Sequence, residues 1–298
     1  MTDPHLPAVI SERRHLINIA YRLLGSLAEA EDVVQETYVR WYALSERQRQ
    51  EVAAPGAWLT TVAGRICLDL LGSARNRREH YVGDWIPEPI PARSEWPDGP
   101  APADPADRVT LDESISMAFL VVLDSMTPAE RVAFVLHDVF RYSFAEVADI
   151  VGRTPAACRQ LASSARRRID TSRGPSSAER AELVRDFKRA WQARDIEALI
   201  GLLDPRARAA ADGGGLAPAF LEPIHGGEQI ARTWMEIAAR SPAVTLLERT
   251  VNGQPGLVAQ LDGTVVSVYA FDIADGLITR IWAIRNPEKL RPWTAAES

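Results

Sequence analysis

Residues 143–168 read SFAEVADIVGRTPAACRQLASSARRR, and their punctuation decides how this chain is built. Ser143 followed three residues later by Glu146 is a capping box, in which hydroxyl and carboxylate satisfy backbone N–H groups that a helix start leaves open. A short helix then runs to Val151 and stops at Gly152, and Thr154-Pro155 supplies the cap and first residue of the next. Two helices joined by so tight a turn form a helix-turn-helix. On the second helix Cys158, Leu161, Ala162, Ala165 and Ile169 share the core-facing side. Ala156, Arg159, Gln160, Ser163, Arg166 and Arg167, with the cap Thr154, face outward. Arg pairs bidentately with guanine and Gln with adenine in a major groove, and clustered arginines neutralise phosphates, so this row suits DNA. The plainer reading is a solvated basic face on an ordinary helix pair.

Upstream, Thr127-Pro128-Ala129-Glu130 combines a cap, a first-turn proline and a glutamate three residues on, opening another helix of the same unit. Residues 83–107 carry Pro87, Pro89, Pro91, Pro97, Pro100, Pro102 and Pro105, a density that forbids helix or central strand. Trp85, Ile86 and Trp96 within this linker predict that it packs against something. Before it, apolar residues at 16, 19, 20 and 23 mark one helical face, and Ser26 with Glu29 starts a second helix near Leu27. There Ala30, Val33, Val34, Thr37, Tyr38 and Trp41 form the buried stripe, which leaves Asp32, Gln35, Glu36 and Val39 outward at i, i+3, i+4, i+7. Pro55 opens a third helix through Trp58, Leu59, Val62, Ile66, Asp69 and Leu70, ending in the basic run Arg75, Arg77, Arg78. Trp58, flanked by apolar residues, is expected to pack rather than stack on a base.

After residue 175 the pattern changes. A helix carrying Leu183, Phe187, Ala190 and Trp191, a short helix to Leu203 and an amphipathic helix over 228–239 are followed by three hairpin signals, Asn252-Gly253, Asp262-Gly263 and Asp275-Gly276, each suited to the positive φ angles of a type I′ turn. They separate β-rich segments at 244–251, 257–261, 264–272 and 277–285. An antiparallel meander with helices on one face follows, an α+β layer.

The chain has 298 residues, 46% of them hydrophobic and 25% charged, the composition of a multi-domain globular protein. No apolar run approaches the roughly 20 residues of a membrane-spanning helix, and the start of the chain has no apolar signal core, which predicts a cytoplasmic protein without membrane partners. Two cysteines, Cys67 and Cys158, exclude a disulfide framework or a Cys-rich metal site. The net charge of −6 conceals clustering. Residues 153–168 hold five arginines and no acid, whereas residues 27–41 hold four acids against Arg40. Helices of opposite sign imply two kinds of partner, and an acidic ridge suits a basic protein surface rather than nucleic acid.

Ala30-Glu31-Asp32-Val33-Val34-Gln35-Glu36, then Pro55-Gly56-Ala57-Trp58-Leu59 and Asp69, resemble region two of bacterial extracytoplasmic-function sigma factors, and residues 126–168 resemble their region four. Trp85-Ile86-Pro87-Glu88-Pro89, Asp212-Gly213-Gly214-Gly215 and Asn286-Pro287-Glu288-Lys289-Leu290 resemble three hallmark segments of the subgroup with a fused SnoaL-like domain. Leu216 stands where that subgroup usually has lysine, and Arg65 where many sigma factors have asparagine. The resemblance implies two all-α sigma domains, a region two helical bundle at 1–81 and a region four helix-turn-helix at 110–172. A Pro-rich linker at 82–109 joins them, and a C-terminal SnoaL-like α+β cone spans 176–298. It further implies that Asp32, Gln35 and Glu36 dock on core RNA polymerase, that Arg65, Arg75, Asn76, Arg77 and Arg78 contact the minus-ten element, and that the helix from Thr154 reads the minus-thirty-five element. Trp85, Pro87, Glu88, Asp212, Gly213 to Gly215 and Asn286 to Leu290 become interdomain regulatory contacts.

No cofactor or metal is implied. Related cones house an apolar pocket, so a small-molecule ligand is an expectation, and Asp212 and His225 are candidate pocket groups. Asp212 before three glycines also suits a turn, and His225 a loop before a helix, and no acid and base pair converges for catalysis. Two other functions fit parts of the sequence: a one-component, ligand-sensing helix-turn-helix regulator, and a cyclase-like or isomerase-like enzyme with a DNA-binding segment. The first has no use for the acidic ridge of the 27–41 helix; turnover by residues 176–298 alone would identify the second.

Overall fold

The computed structural model describes residues 11–78, 81–92, 115–169 and 175–294, the side chains of 74–78 excepted. These fall into two compact units, one of 11–78 with 119–169 and one of 81–92, 115–118 and 175–294.

The first unit is all helical. It contains α1 (Arg13–Leu24), α2 (Leu27–Ala43), α3 (Glu46–Glu51), α4 (Pro55–Arg78), α5 (Met117–Asp124, entering from the second unit), α6 (Pro128–Phe134), α7 (Phe144–Val151) and α8 (Pro155–Arg166). The capping boxes at Thr127 and Ser143 form as the sequence predicts, and Ser26 accepts from the Glu29 N–H. Gly152 ends α7 with a positive φ of 68°. Ser45 and Gln48 add a capping box for α3. Helix α6 runs into a π-helical turn at Val135–Val139.

Helix α1 is buried almost all round, including Asn18 and Arg22. The Arg22 Nη1 donates to the Asn18 backbone and side-chain oxygens at 3.2 Å, and its guanidinium lies 5.1 Å from the Phe140 ring centroid. A second buried arginine, Arg131, donates to the Leu23 carbonyl and to Asp124, both at 2.9 Å. Buried cations demand such partners, and here they tie α1 to the helices that carry the helix-turn-helix. The Tyr142 hydroxyl joins the same two halves through His15 Nε2 at 2.8 Å and Thr60 Oγ1 at 3.0 Å. Gly64 of α4 faces Ile150 of α7, whose Cγ2 would stand 2.8 Å from a side-chain carbon added at 64.

The second unit is an α+β cone. Helices α9 (Ser177–Ala193) and α10 (Ile196–Leu202) precede β1 (Leu203–Asp212), β2 (Ile224–His225) and α11 (Gly227–Arg240). Then come β3 (Thr245–Val251), β4 (Gln254–Leu261), β5 (Thr264–Ala274), β6 (Leu277–Ile284) and a terminal turn of helix, α12 (Arg291–Thr294). The meander β3–β6 is antiparallel, and all three hairpin pairs adopt positive φ at both residues. The sheet order is β2-β1-β6-β5-β4-β3, with β1 parallel to β6, so the meander is four strands of a six-stranded mixed sheet. Phe187, Trp191, Trp234, Tyr269 and Phe271 bring α9 and α11 onto the sheet, with Phe187–Phe271 and Trp191–Tyr269 centroids 5.3 Å apart.

Two outcomes are expected for the first unit. Gly64→Leu overpacks the α4–α7 contact and lowers stability by about 1–3 kcal/mol, with a larger radius of gyration by small-angle scattering. His15 is held below its ordinary value of 6.5 by burial, with Arg22 adding to that and Glu12 opposing it. Its depressed folded value makes stability complete above pH 6.5 and lost as pH falls through that folded value. Denaturant midpoints at about pH 7.5 and about pH 5.5 should differ less in His15→Gln, which keeps a polar partner for Tyr142 and does not titrate.

Candidate polymerase, promoter and linker-binding sites

Three surfaces hold the residues singled out from sequence. On α2, Ser26 fixes the first turn and Val33, Val34, Thr37 and Trp41 are buried. That anchoring sends Asp32, Gln35 and Glu36 to solvent, beside Val39 at 63% exposure. Glu36 pairs with Arg40 at 2.8 Å, an exposed i, i+4 bridge worth a fraction of a kcal/mol that leaves the ridge net acidic.

On α8, Thr154 caps through the Ala157 N–H at 3.2 Å, and Cys158, Ala162 and Ala165 are buried. Thr154, Ala156, Arg159, Gln160, Ser163, Arg166 and Arg167 are all exposed. Arg166 is committed in part, donating to Asp138 at 2.6 Å, and the Arg159 guanidinium sits 5.2 Å from the Phe144 ring centroid. The helix therefore offers one polar and cationic face at the width of a recognition helix.

Helix α4 carries the third group. Trp58 is half-buried and packs edge-on against Trp41 with centroids 5.2 Å apart, as its apolar flanks predict. Arg65 is exposed, yet its Nη2 donates to the Asp149 carbonyl on α7 at 2.8 Å. The side chains of Arg75, Asn76, Arg77 and Arg78 lie outside the described residues. Cys67 and Cys158 are both buried free thiols, and burial pushes the Cys67 thiol up, which makes it inert.

In the second unit the structure brings the three hallmark segments to one point. Asp212, at the end of β1, is fully buried. Its carboxylate accepts from the Tyr81 hydroxyl at 2.6 Å, the Ile86 N–H at 2.9 Å and Lys289 Nζ at 2.6 Å. Lys289 Nζ also donates to the Ile86 carbonyl at 2.5 Å and lies 4.2 Å from the Trp85 ring centroid. Asn286 donates from Nδ2 to the Tyr81 hydroxyl at 2.9 Å, and its backbone N–H donates to the Asp212 carbonyl. Burial, with the Asp212 carboxylate beside it, pushes the Tyr81 phenol up, so it stays a donor.

Pro87, Glu88 and Leu290 are buried with this cluster, whereas Pro287 and Glu288 are exposed. Further along, Ile90 exchanges hydrogen bonds with Asn252, and Trp293 Nε1 donates to the Pro89 carbonyl at 2.8 Å. The linker through Pro91 is thus a packed strap, as Trp85 and Ile86 predict; Trp96 lies outside the described residues.

One expectation needs correction. Asp212, also named as an interdomain contact, is not a pocket group: its carboxylate is spent on the strap and does not line the large cavity of this unit. His225 is exposed on β2, just before α11, and lines a separate cavity with Leu203, Pro205 and Arg232. Tyr81, Asn252 and Trp293 belong to the strap site without having been singled out. Tyr81 and Trp293 flank the hallmark segments and Asn252 sits in a hairpin turn, so proximity in sequence was the only available signal.

Comparisons with known proteins cover both units. The family descriptions "Sigma-70 region 2" and "Sigma-70, region 4" match residues 9–77 and 116–169. The "ECF RNA polymerase sigma factor SigJ" of Mycobacterium tuberculosis is 36% identical over 291 residues, covering 93% of this chain and 90% of that protein. The "Probable ECF RNA polymerase sigma factor SigI" of the same species is 35% identical over 300 residues, covering 98% and 97%. The crystal structure of the M. tuberculosis SigJ matches with a TM-score of 0.74 at 34% identity, over 96% of this chain and 98% of that one.

Removing one partner of the buried pair leaves the other charge uncompensated. Lys289→Met is expected to cost about 3–5 kcal/mol of second-unit stability, and Asp212→Asn a similar amount. Hydrogen exchange at the Ile86 amide, which donates to Asp212, should rise in both variants before global unfolding does.

Proposed function

Because this chain belongs to the extracytoplasmic-function sigma factors of RNA polymerase, we propose a division of labour among its surfaces in promoter recognition. The chain directs core RNA polymerase to promoters and transcription initiation. Asp32, Gln35 and Glu36 dock on a cationic helical surface of the core enzyme. Arg65, Arg75, Asn76, Arg77 and Arg78 contact the minus-ten element. Thr154, Ala156, Arg159, Gln160, Ser163, Arg166 and Arg167 form the minus-thirty-five interface. The observation that carries this reading is that two helical faces of opposite charge are both turned to solvent while the remainder of each helix is buried. A stand-alone helix-turn-helix regulator leaves the acidic face without a role and is not favoured.

The domain limits that go with this reading are region two at 1–81, linker at 82–109, region four at 110–172 and the C-terminal domain at 176–298. The last acts in cis as a regulator, its handle being the strap from Tyr81 to Pro91. The protein works in the cytoplasm, and no helix among the described residues is long and apolar enough to cross a membrane. The C-terminal domain holds a small-molecule ligand in its cavity and is not an enzyme.

Region two and region four must also part. Elements roughly 25 base pairs apart lie about 85 Å apart on B-form DNA, at 3.4 Å per step. In the first unit Arg65 touches Asp149 and Tyr142 touches Thr60, so both elements cannot be read at once from this arrangement. Opening frees Arg65 for the promoter.

The test mixes the full chain with core polymerase and a promoter library and maps transcript starts. Specific initiation is expected. Asp32→Arg combined with Glu36→Arg should abolish co-purification with core enzyme while leaving circular dichroism and melting unchanged, because both side chains are exposed. Undiminished co-purification of the double variant would sink the docking assignment.

A further inference from the structure

A cavity of about 620 Å³ opens in the C-terminal unit, between the C-terminal ends of α9 and α11 and the sheet face that they cover. That volume suits a small organic molecule. Its buried wall is aromatic, contributed by Trp191, Trp234 and Tyr269.

Charge in the cavity is of one sign. Arg194, Arg240 and Arg285 line it, and no Asp, Glu, His, Cys or Lys does. Arg240 pairs with Glu236. Among the described residues no carboxylate pairs with Arg194 or Arg285, which donate to the neutral carbonyls of Ala238 and Pro218. Each guanidinium has five N–H donors, so one carbonyl leaves most of them available. Burial pushes the Tyr269 phenol up while Ser267 and Arg285 pull against it, so the hydroxyl remains a donor beside a cation. The lining has donors in excess, aromatic surface, and no side chain able to act as a general base at neutral pH.

We propose that this cavity binds a flat, largely apolar organic anion of the aromatic carboxylate class, with Arg285 meeting its oxygens, and releases it chemically unchanged. This rests on the regulatory reading of the C-terminal domain and gives it a ligand class. Aromatic walls recognise the ring body by stacking and area, and the arginine selects the anion.

Two probes of one skeleton test the proposal on the full chain. One is 1-anilinonaphthalene-8-sulfonate, and the other is N-phenyl-1-naphthylamine, which lacks only the charged group. Saturable binding of the sulfonate at one site is expected, about tenfold tighter than the neutral probe. Arg285→Gln should bring the two affinities together. Ala238→Phe, at a half-exposed position on the lining, should remove both probes while circular dichroism stays unchanged. Equal affinities for the two probes, sulfonate binding that survives Ala238→Phe, or no saturable binding of either would each overturn the proposal. Promoter-specific initiation measured on the same preparations separates the two readings. A chain that initiates without binding either probe loses the ligand and keeps the sigma function, and one that binds selectively without initiating does the reverse.

Discussion

A carboxylate with no exposure to water has to be compensated where it stands, and Asp212 meets that requirement with groups from two distant stretches of chain. Tyr81 and Ile86 come from the strap and Lys289 from the C-terminal tail, while the Asp212 backbone carbonyl takes the N–H groups of Arg285 and Asn286. The glycines that follow are required by the same packing. A side chain on Gly213 would overlap the Ala217 carbonyl, and one on Gly214 would overlap the Asn286 amide, with φ at +60° besides. A well-packed apolar pair in place of Asp212 and Lys289 could match them in stability. What the ion pair adds is that the strap seats in one register, since a shifted linker leaves a charge buried alone.

The same strand ends also border the cavity. Ala211 lines it while its neighbour Asp212 serves the strap, and Arg285 lines it while its neighbour Asn286 holds Tyr81. Adjacent residues at the end of β1 and just past β6 thus serve the cavity and the strap separately, so the two share backbone segments without sharing a side chain.

Much of this was legible from local chemistry. Thr127, Ser143 and Thr154 announce helix starts because a hydroxyl can reach the third backbone N–H, and Asn252-Gly253, Asp262-Gly263 and Asp275-Gly276 announce hairpins because few other pairs accept positive φ twice. Exposure of the acidic and basic rows followed from helical period. What stayed hidden depends on partners remote in sequence. The parallel pairing of β1 with β6 has no local signature. Arg22 and Arg131 look like surface residues until the carbonyls and Asp124 that receive them are in place. Asp212 has a turn former's neighbours and an ion pair's environment, and only the second shows its role. The cavity is drawn from α9, α11, the β1–β2 connection and five strands, so no single stretch carries its pattern.

The two halves of the first unit are joined by apolar packing, as at Gly64 and Ile150, and by a small set of polar contacts. Between the two sigma halves, Tyr142 meets His15 and Thr60, Arg131 meets the Leu23 carbonyl, and Arg65 meets the Asp149 carbonyl. Hydrogen bonds of this kind contribute roughly 0.5–1.5 kcal/mol each, somewhat more where an arginine donates, so the polar part of the closure amounts to several kcal/mol. The apolar packing of Gly64 on Ile150 adds to that polar part, so the arrangement rests on both, with Arg65 of α4 committed to the Asp149 carbonyl of α7.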